Sequence, residues 1–190
     1  SRRARRRSAA RGPVARLVPM KTILLAGGQS RRFGSPKALV LKEGVPLVVD
    51  RYHLLQSLDS EPIILAGDLA PTIRALLPEA RVISDGQEGP VAALTQLKTT
   101  GLHLVMAVDM PKLEHGDLQA FIAAASGPAI LGAAPATLPC LLDLPLSLRA
   151  GRSLKAQLGQ QNAVYLQPAE CPADHLVQFN TMEAWRDLRS

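Results

Sequence analysis

The stretch KTILLAGGQSRRFGSPKAL, residues 21–39, begins as a short apolar run and turns abruptly into glycine and positive charge. Six residues, 21–26, are too few for a stable helix. Closed by Gly27 and Gly28, they read as a strand buried on both faces. The loop that follows has glycine at 27, 28 and 34, where the backbone can take a left-handed turn or come close to a ligand. It also carries three cations, Arg31, Arg32 and Lys37. Backbone amides converging in such a loop bind anions, and three cations beside them suit a polyphosphate. Neither GxGxxG nor GxxxxGK[ST] occurs here, so this is not one of the two commoner phosphate loops.

The same design recurs downstream. PIILA (62–66) runs into Gly67-Asp68, RVIS (81–84) into Asp85-Gly86, and HLVMAV (103–108) into Asp109. A fifth run, AILG, covers 129–132. Helical patterns alternate with these runs. Residues 47–58 place Leu47, Tyr52, Leu54, Leu55 and Leu58 near one stripe. Further patterns are expected over 71–77, over 90–98 with Pro90 in the first turn, over 117–125, and over 152–158 starting at Ser153. The last, 182–188, is capped by Thr181 with Glu183 in its first turn. Strand and helix in alternation with short turns predict an α/β fold, a parallel sheet with helices on both faces. Ligands of such sheets sit beyond the carboxyl ends of the strands, so the Gly and Asp residues closing the runs should gather on one rim.

The formal charge of +6 suggests a nucleic-acid partner, but its distribution argues against one. Residues 1–19 hold seven arginines and no acid, whereas the chain from Met20 onward has a net charge of −1. The first 19 residues are expected to be a disordered Arg-rich extension with no part in the fold. Residues 20–190 contain no repeat or linker and are expected to form a single domain. No apolar run is long enough to span a membrane. Two cysteines, Cys140 and Cys171, are too few for a disulfide framework and point to a reducing, cytoplasmic setting.

LAGGQSRRFGSPKAL (25–39) resembles the signature LAGGxSxRxGxxK of nucleotidyltransferases that use an NTP to make a dinucleotide or an NDP-sugar. More narrowly, it is similar to the molybdenum cofactor guanylyltransferase, or MobA-like, family. SDGQEGPVAAL (84–94) resembles that family's D-x₃-GPxxAL element, and VMAVDMPKL (105–113) its xxxDMPxL element, in the same order and spacing. The resemblance implies a three-layer αβα, Rossmann-like nucleotidyltransferase fold with a mostly parallel sheet. It also implies transfer of GMP from GTP to the phosphate of the molybdopterin cofactor, with Mg²⁺ as cofactor and molybdoenzyme maturation proteins as partners. Neither nucleic acid nor membrane is expected as a partner. A cytidylyltransferase on the same cofactor, an NDP-sugar pyrophosphorylase and a non-catalytic nucleotide-binding protein are the alternatives.

Such transfer needs little covalent help, because the attacking phosphate is already ionised near neutral pH. The obstacle is repulsion between polyanions and the charge growing on the departing pyrophosphate, so positioning and cations do the catalysis. The resemblance assigns Mg²⁺ to Asp109 and the NTP phosphates to Lys37, with Arg32 as a second catalytic cation. It assigns the nucleotide to Leu25, Ala26, Gly27, Gly28, Asp85 and Gly89, in addition to Lys37 and Asp109. An Asp85 carboxylate could accept the paired N–H groups of guanine, and Gly89-Pro90 would start a helix with its amide end at the rim. Asp109 could instead cap the next turn, and Asp85 could simply start the turn at Gly86. The family pattern is broken in three places. Ala66 or Gly67 stands where Asn is common, Ala136–Leu141 has no polar side chain at the place matching the family's His or Gln, and the closing N-x-N-T-P reads Gln178-Phe179-Asn180-Thr181-Met182. Asn180 survives as a metal or phosphate ligand, while base and acceptor recognition are the functions the changes touch.

Overall fold

The computed structural model describes residues 20–27, 33–84, 89–147 and 153–189. The Arg-rich segment 1–19 lies outside them, as do four candidate loop residues, Gly28, Arg31, Arg32 and Asp85. Strands β1 (Lys21–Leu25), β4 (Ile63–Leu65), β5 (Arg81–Ile83), β6 (Gly101–Ala107) and β7 (Ala129–Leu131) form where the apolar runs predict them. A two-residue hairpin, β2 (Leu41–Lys42) and β3 (Val45–Pro46), lies between β1 and the first helix. Two further strands, β8 (Cys140–Leu144) and β9 (Val164–Leu166), are additions to the sequence reading. Among the described residues seven strands make one sheet in the order β5-β4-β1-β6-β8-β7-β9.

The sheet is mostly parallel, with one correction to the simple alternation. β8 runs antiparallel to both β6 and β7. The link from β7 to β8 holds only residues 132–139, and a parallel crossover needs a dozen or more, usually including a helix. β7 therefore reaches its place by crossing over the position β8 later fills, through helix α4 (His115–Ala124). β9 then pairs parallel with β7 at the sheet edge.

The layers follow from the period-two alternation of the strands. Leu24, Ile64, Leu104 and Met106 face a core shared with α1 (Leu47–Gln56), α2 (Ala70–Leu76) and α4. Ile23, Ile63, Leu65 and Val105 face the opposite way, onto α3 (Pro90–Thr95) and α5 (Leu154–Gln160). Both faces are covered, which is why the central strands read as continuous apolar runs. A third, smaller core of Phe33, Leu47, Phe179 and Trp185 holds the C-terminal helix α6 (Met182–Arg189) against the end of the domain. Ser153 caps α5, accepting from the Ala156 amide at 3.1 Å, and Thr181 accepts from the Ala184 amide at the start of α6. α4 starts two residues earlier than its apolar pattern predicts. Glu114 and Asp117 form a reciprocal capping box that recruits His115 and Gly116 into the first turn.

Gly27 has a purpose the sequence leaves open. The amides of Ala26 and Gly27 both donate to the Leu65 carbonyl, at 2.8 and 2.9 Å. This brings the loop after β1 against the loop after β4. A Cβ at Gly27 would lie 2.8 Å from the Gly67 nitrogen and 2.9 Å from the Ala66 carbonyl carbon, both backbone atoms with little room to yield. Gly27→Ala should therefore cost about 1–3 kcal/mol through overpacking. Thermal melts should show a Tm lower by roughly 5 °C for a chain of this size. An unchanged Tm would mean that the two loops separate freely.

Candidate active site

The rim of the sheet brings together three side chains from distant parts of the sequence. β1 and β6 are paired with Leu25 opposite Ala107, so the loop after β1 and the Val108-Asp109 exit from β6 leave side by side. The β1 loop returns as a single 3-10 turn, Lys37–Leu39, and places the Lys37 ammonium 3.2 Å from Asp109 Oδ2. Lys37 also donates to Asn180 Oδ1 at 2.7 Å, and its Nζ lies 5.3 Å from the centre of the Phe179 ring, within cation–π range. Both ends of the ion pair are shielded, with 14% of the Lys37 and 17% of the Asp109 side chain exposed.

Asp109 is held on one side only. Oδ2 meets Lys37, while Oδ1 is buried and has no hydrogen-bond partner among the described residues. An orphaned buried carboxylate oxygen is costly and calls for an explanation. Capping of the next helix is not the explanation, because Glu114 and Asp117 perform that task. A hard cation is the natural partner for such an oxygen. Asn180 Oδ1 lies on the same ammonium and offers a second neutral oxygen nearby. Among the described residues no group of three or more His, Cys, Asp or Glu could enclose a metal by itself.

The segment carrying Asn180 is fixed to the same place. The Phe179 amide donates to the Asp109 carbonyl at 3.3 Å. The Phe179 ring packs between Phe33 and Trp185, with centroids 5.4 and 4.8 Å away. Phe179 is fully buried and was not singled out by sequence reasoning. Its position inside the altered closing motif was the available signal. Leu25, Ala26 and Gly27 line the end of β1 beside this group, with Gly27 exposed. Gly89, with φ of 94°, starts α3 past the carboxyl end of β5, on the same rim but two strands from β1. Ala66 is buried and Gly67 lies against Gly27, and neither offers a polar side chain to a base.

A second tie holds the C-terminal segment. The short turn Ala173–Leu176 places His175 Nδ1 2.8 Å from Asp117 Oδ2, a buried carboxylate. The hydrogen bond to Asp117 raises the His175 pKa above its ordinary 6.5. Partial burial opposes the rise, and the charges of Asp117, Asp174 and Glu114 add to it. A group whose pKa rises on folding stabilises the fold fully below its unfolded value and loses that contribution as pH climbs through the folded one. The Tm advantage of the native chain over His175→Ala should thus shrink as the pH rises above the ordinary histidine value of 6.5. A gap independent of pH would show that folding leaves the His175 pKa unshifted.

The model of the MobA-like NTP transferase domain matches residues 22–166. A relative from Trichormus variabilis, described as a probable molybdenum cofactor guanylyltransferase, is 34% identical over 125 residues. That match takes in 63% of this chain and 59% of the relative, so the chain spans little more than half its length. The fold agrees with the molybdopterin-guanine dinucleotide biosynthesis protein A of Archaeoglobus fulgidus, with a TM-score of 0.64 and 20% identity over 90% of this chain and 97% of that one. A nucleotidyl transferase from Methanothermobacter, Mth528, superposes with a TM-score of 0.71 at 18% identity, over 90% of this chain and 95% of the other. The matched span contains β1 with its glycine loop, Lys37 and Asp109, the residues that meet at the rim. The chain belongs to the family of MobA-like NTP transferase domains.

Proposed function

We propose that the chain transfers GMP from GTP to the terminal phosphate of molybdopterin, forming a guanine dinucleotide cofactor and releasing pyrophosphate. The observation that carries this reading is the meeting of Lys37 and Asp109 at the rim, with Asp109 Oδ1 buried and unpaired among the described residues. In the reaction an acceptor phosphate oxygen attacks the α-phosphorus of GTP. The bond from that phosphorus to the bridging oxygen breaks, and pyrophosphate leaves with the electron pair. The residues need only hold two polyanions in line and balance their charge.

Lys37 is the mobile cation of this scheme. It reaches Asp109, Asn180 and the Phe179 face from one position, and its flexible stem allows it to turn from the carboxylate to the triphosphate. Asp109, with Asn180 beside it, would hold Mg²⁺, which favours one or two carboxylates together with substrate phosphates over an all-protein cage. Bound there, the ion would neutralise charge on the triphosphate and on the departing pyrophosphate. The loop after β1, with Leu25, Ala26, Gly27 and Gly28, is proposed to cradle the phosphates, and Arg32 to supply a second cation. Asp85 would read the guanine edge, with Gly89 at the neighbouring turn. The relative from Trichormus variabilis supports guanylyl rather than another nucleotidyl transfer. Molybdoenzyme maturation proteins are proposed as partners.

The test is pyrophosphate release from the full chain with Mg²⁺ and each NTP in turn, with and without molybdopterin. Release confined to GTP plus molybdopterin supports the reading. Release with CTP moves the base specificity, release with a sugar phosphate moves the acceptor, and nucleotide binding without turnover rejects the enzyme.

A further inference from the structure

Asp109 is followed by a turn, Met110-Pro111-Lys112-Leu113, whose carbonyls are gripped by cations from another part of the chain. Arg51, in the middle of α1, is 4% exposed. Its NH1 donates to the Met110 carbonyl at 3.1 Å and to the Leu113 carbonyl at 2.6 Å. Its Nε and NH2 donate to Asp50 Oδ2 at 2.7 and 2.6 Å, which fixes the plane of the fork. Lys42, on the β2–β3 hairpin, donates to the Pro111 carbonyl at 2.9 Å and stands 3.5 Å from the same Asp50 carboxylate. With the Phe179 amide on the Asp109 carbonyl, four carbonyls between residues 109 and 113 are each held from outside the turn.

This is more than burial requires. α1 already covers the sheet with Val48, Tyr52 and Leu55, and an arginine buried beside them costs desolvation unless most of its donors are used. Here Asp50 takes Nε and NH2, and NH1 is used on the backbone of one turn, the turn that follows the carboxylate at the rim. NH1 holds two carbonyls while Nε and NH2 bond Asp50, a fixed planar arrangement that the single nitrogen of a lysine cannot reproduce.

We propose that Arg51, with Lys42, is a positioning residue for the Asp109 carboxylate: it fixes the turn after β6 so that Oδ1 is aimed into the rim. The proposal rests on the reading of Asp109 as the metal ligand. Residues that orient a ligating group govern metal affinity without touching the metal.

The test is Mn²⁺ binding to the full chain, followed by water-proton relaxation with the metal alone, for the native protein, Arg51→Lys, Lys42→Met and Asp109→Ala. Circular dichroism at the working temperature establishes that each is folded. Arg51→Lys should weaken Mn²⁺ binding by about 10-fold, the low end of what loss of such an orienting partner costs, and Lys42→Met by less. Raising the metal concentration should restore turnover in both. A merely structural role would lower Tm and leave metal affinity in the folded protein unchanged. Native affinity in both variants, with binding lost in Asp109→Ala, overturns the positioning role and leaves the metal reading standing. Native affinity in Asp109→Ala overturns the metal reading and this proposal with it. Should Arg51→Lys fail to fold, Lys42→Met decides, since that side chain lies partly exposed on the hairpin and its loss leaves the core intact.

Discussion

Asp109→Ala is expected to reduce pyrophosphate release by roughly 10³-fold or more, the scale of losing a principal electrostatic element of a transfer site, while the chain stays fully folded. The two halves of this expectation come from one geometry. Oδ2 is spent on Lys37, and Oδ1 is buried with nothing to accept from among the described residues. A buried polar atom left without a partner costs about 1–3 kcal/mol, so removing the carboxylate should leave Tm unchanged or raise it. Loss of the ion pair works in the other direction, but Lys37 keeps Asn180 and the Phe179 face. The backbone of the turn is held by the Phe179 amide and by Arg51, neither of which needs the Asp109 side chain. A structural aspartate would behave oppositely, with activity preserved up to the temperature at which the weakened fold melts. Activity assays and thermal melts on the same preparation separate the two. Native turnover in Asp109→Ala would remove it from the mechanism.

What could be read from the sequence was whatever short-range pattern encodes. β1, β4, β6 and β7 were legible because a strand covered on both faces must be a continuous apolar run, and β5, at the sheet edge with Arg81 exposed, because its short apolar run closes on Asp85-Gly86. β8 has an equally apolar sequence, CLLDL, but its direction depends on the length of the link from β7 rather than on its own residues. β9 has two of its three residues exposed at a sheet edge, so it carries no apolar signature. Within the site, Lys37, Asp109 and Asn180 were each marked by a local motif, and the structure brings the three together. The residues passed over act at long range. Arg51 lies on a face of α1 whose stripe was assigned to Leu47, Tyr52, Leu54, Leu55 and Leu58, and a buried arginine looks like a surface residue until its carbonyl partners 59 and 62 positions away are known. The same holds for His175 and Asp117, 58 positions apart, and for the packing of Gly27 against the backbone of Ala66 and Gly67.

Lys37→Met should produce opposite effects on two measurements. Turnover with GTP should fall by about 10²–10³-fold, since a cation that follows the triphosphate into the transition state is gone. Metal binding in the absence of nucleotide should instead become tighter. In the free protein the ammonium sits 3.2 Å from the carboxylate that the metal would use, so metal and lysine compete for Asp109. At that range two unit charges interact by several kcal/mol before hydration offsets most of it, and lifting the competitor should improve Mn²⁺ affinity by about an order of magnitude. The Met side chain retains the apolar stem against Phe179, so the change removes charge with little loss of packing. With GTP present the tightening should vanish, because in the native chain Lys37 has by then turned to the triphosphate and freed both carboxylate oxygens. A lysine that served only to neutralise a buried aspartate would give a different pair of results. Its removal would leave an uncompensated carboxylate and lower stability, and metal affinity would respond equally with and without nucleotide. Relaxation titrations of native protein and Lys37→Met, each with and without GTP, therefore decide whether the lysine at this rim moves between carboxylate and phosphate or stays where the ligand-free chain holds it.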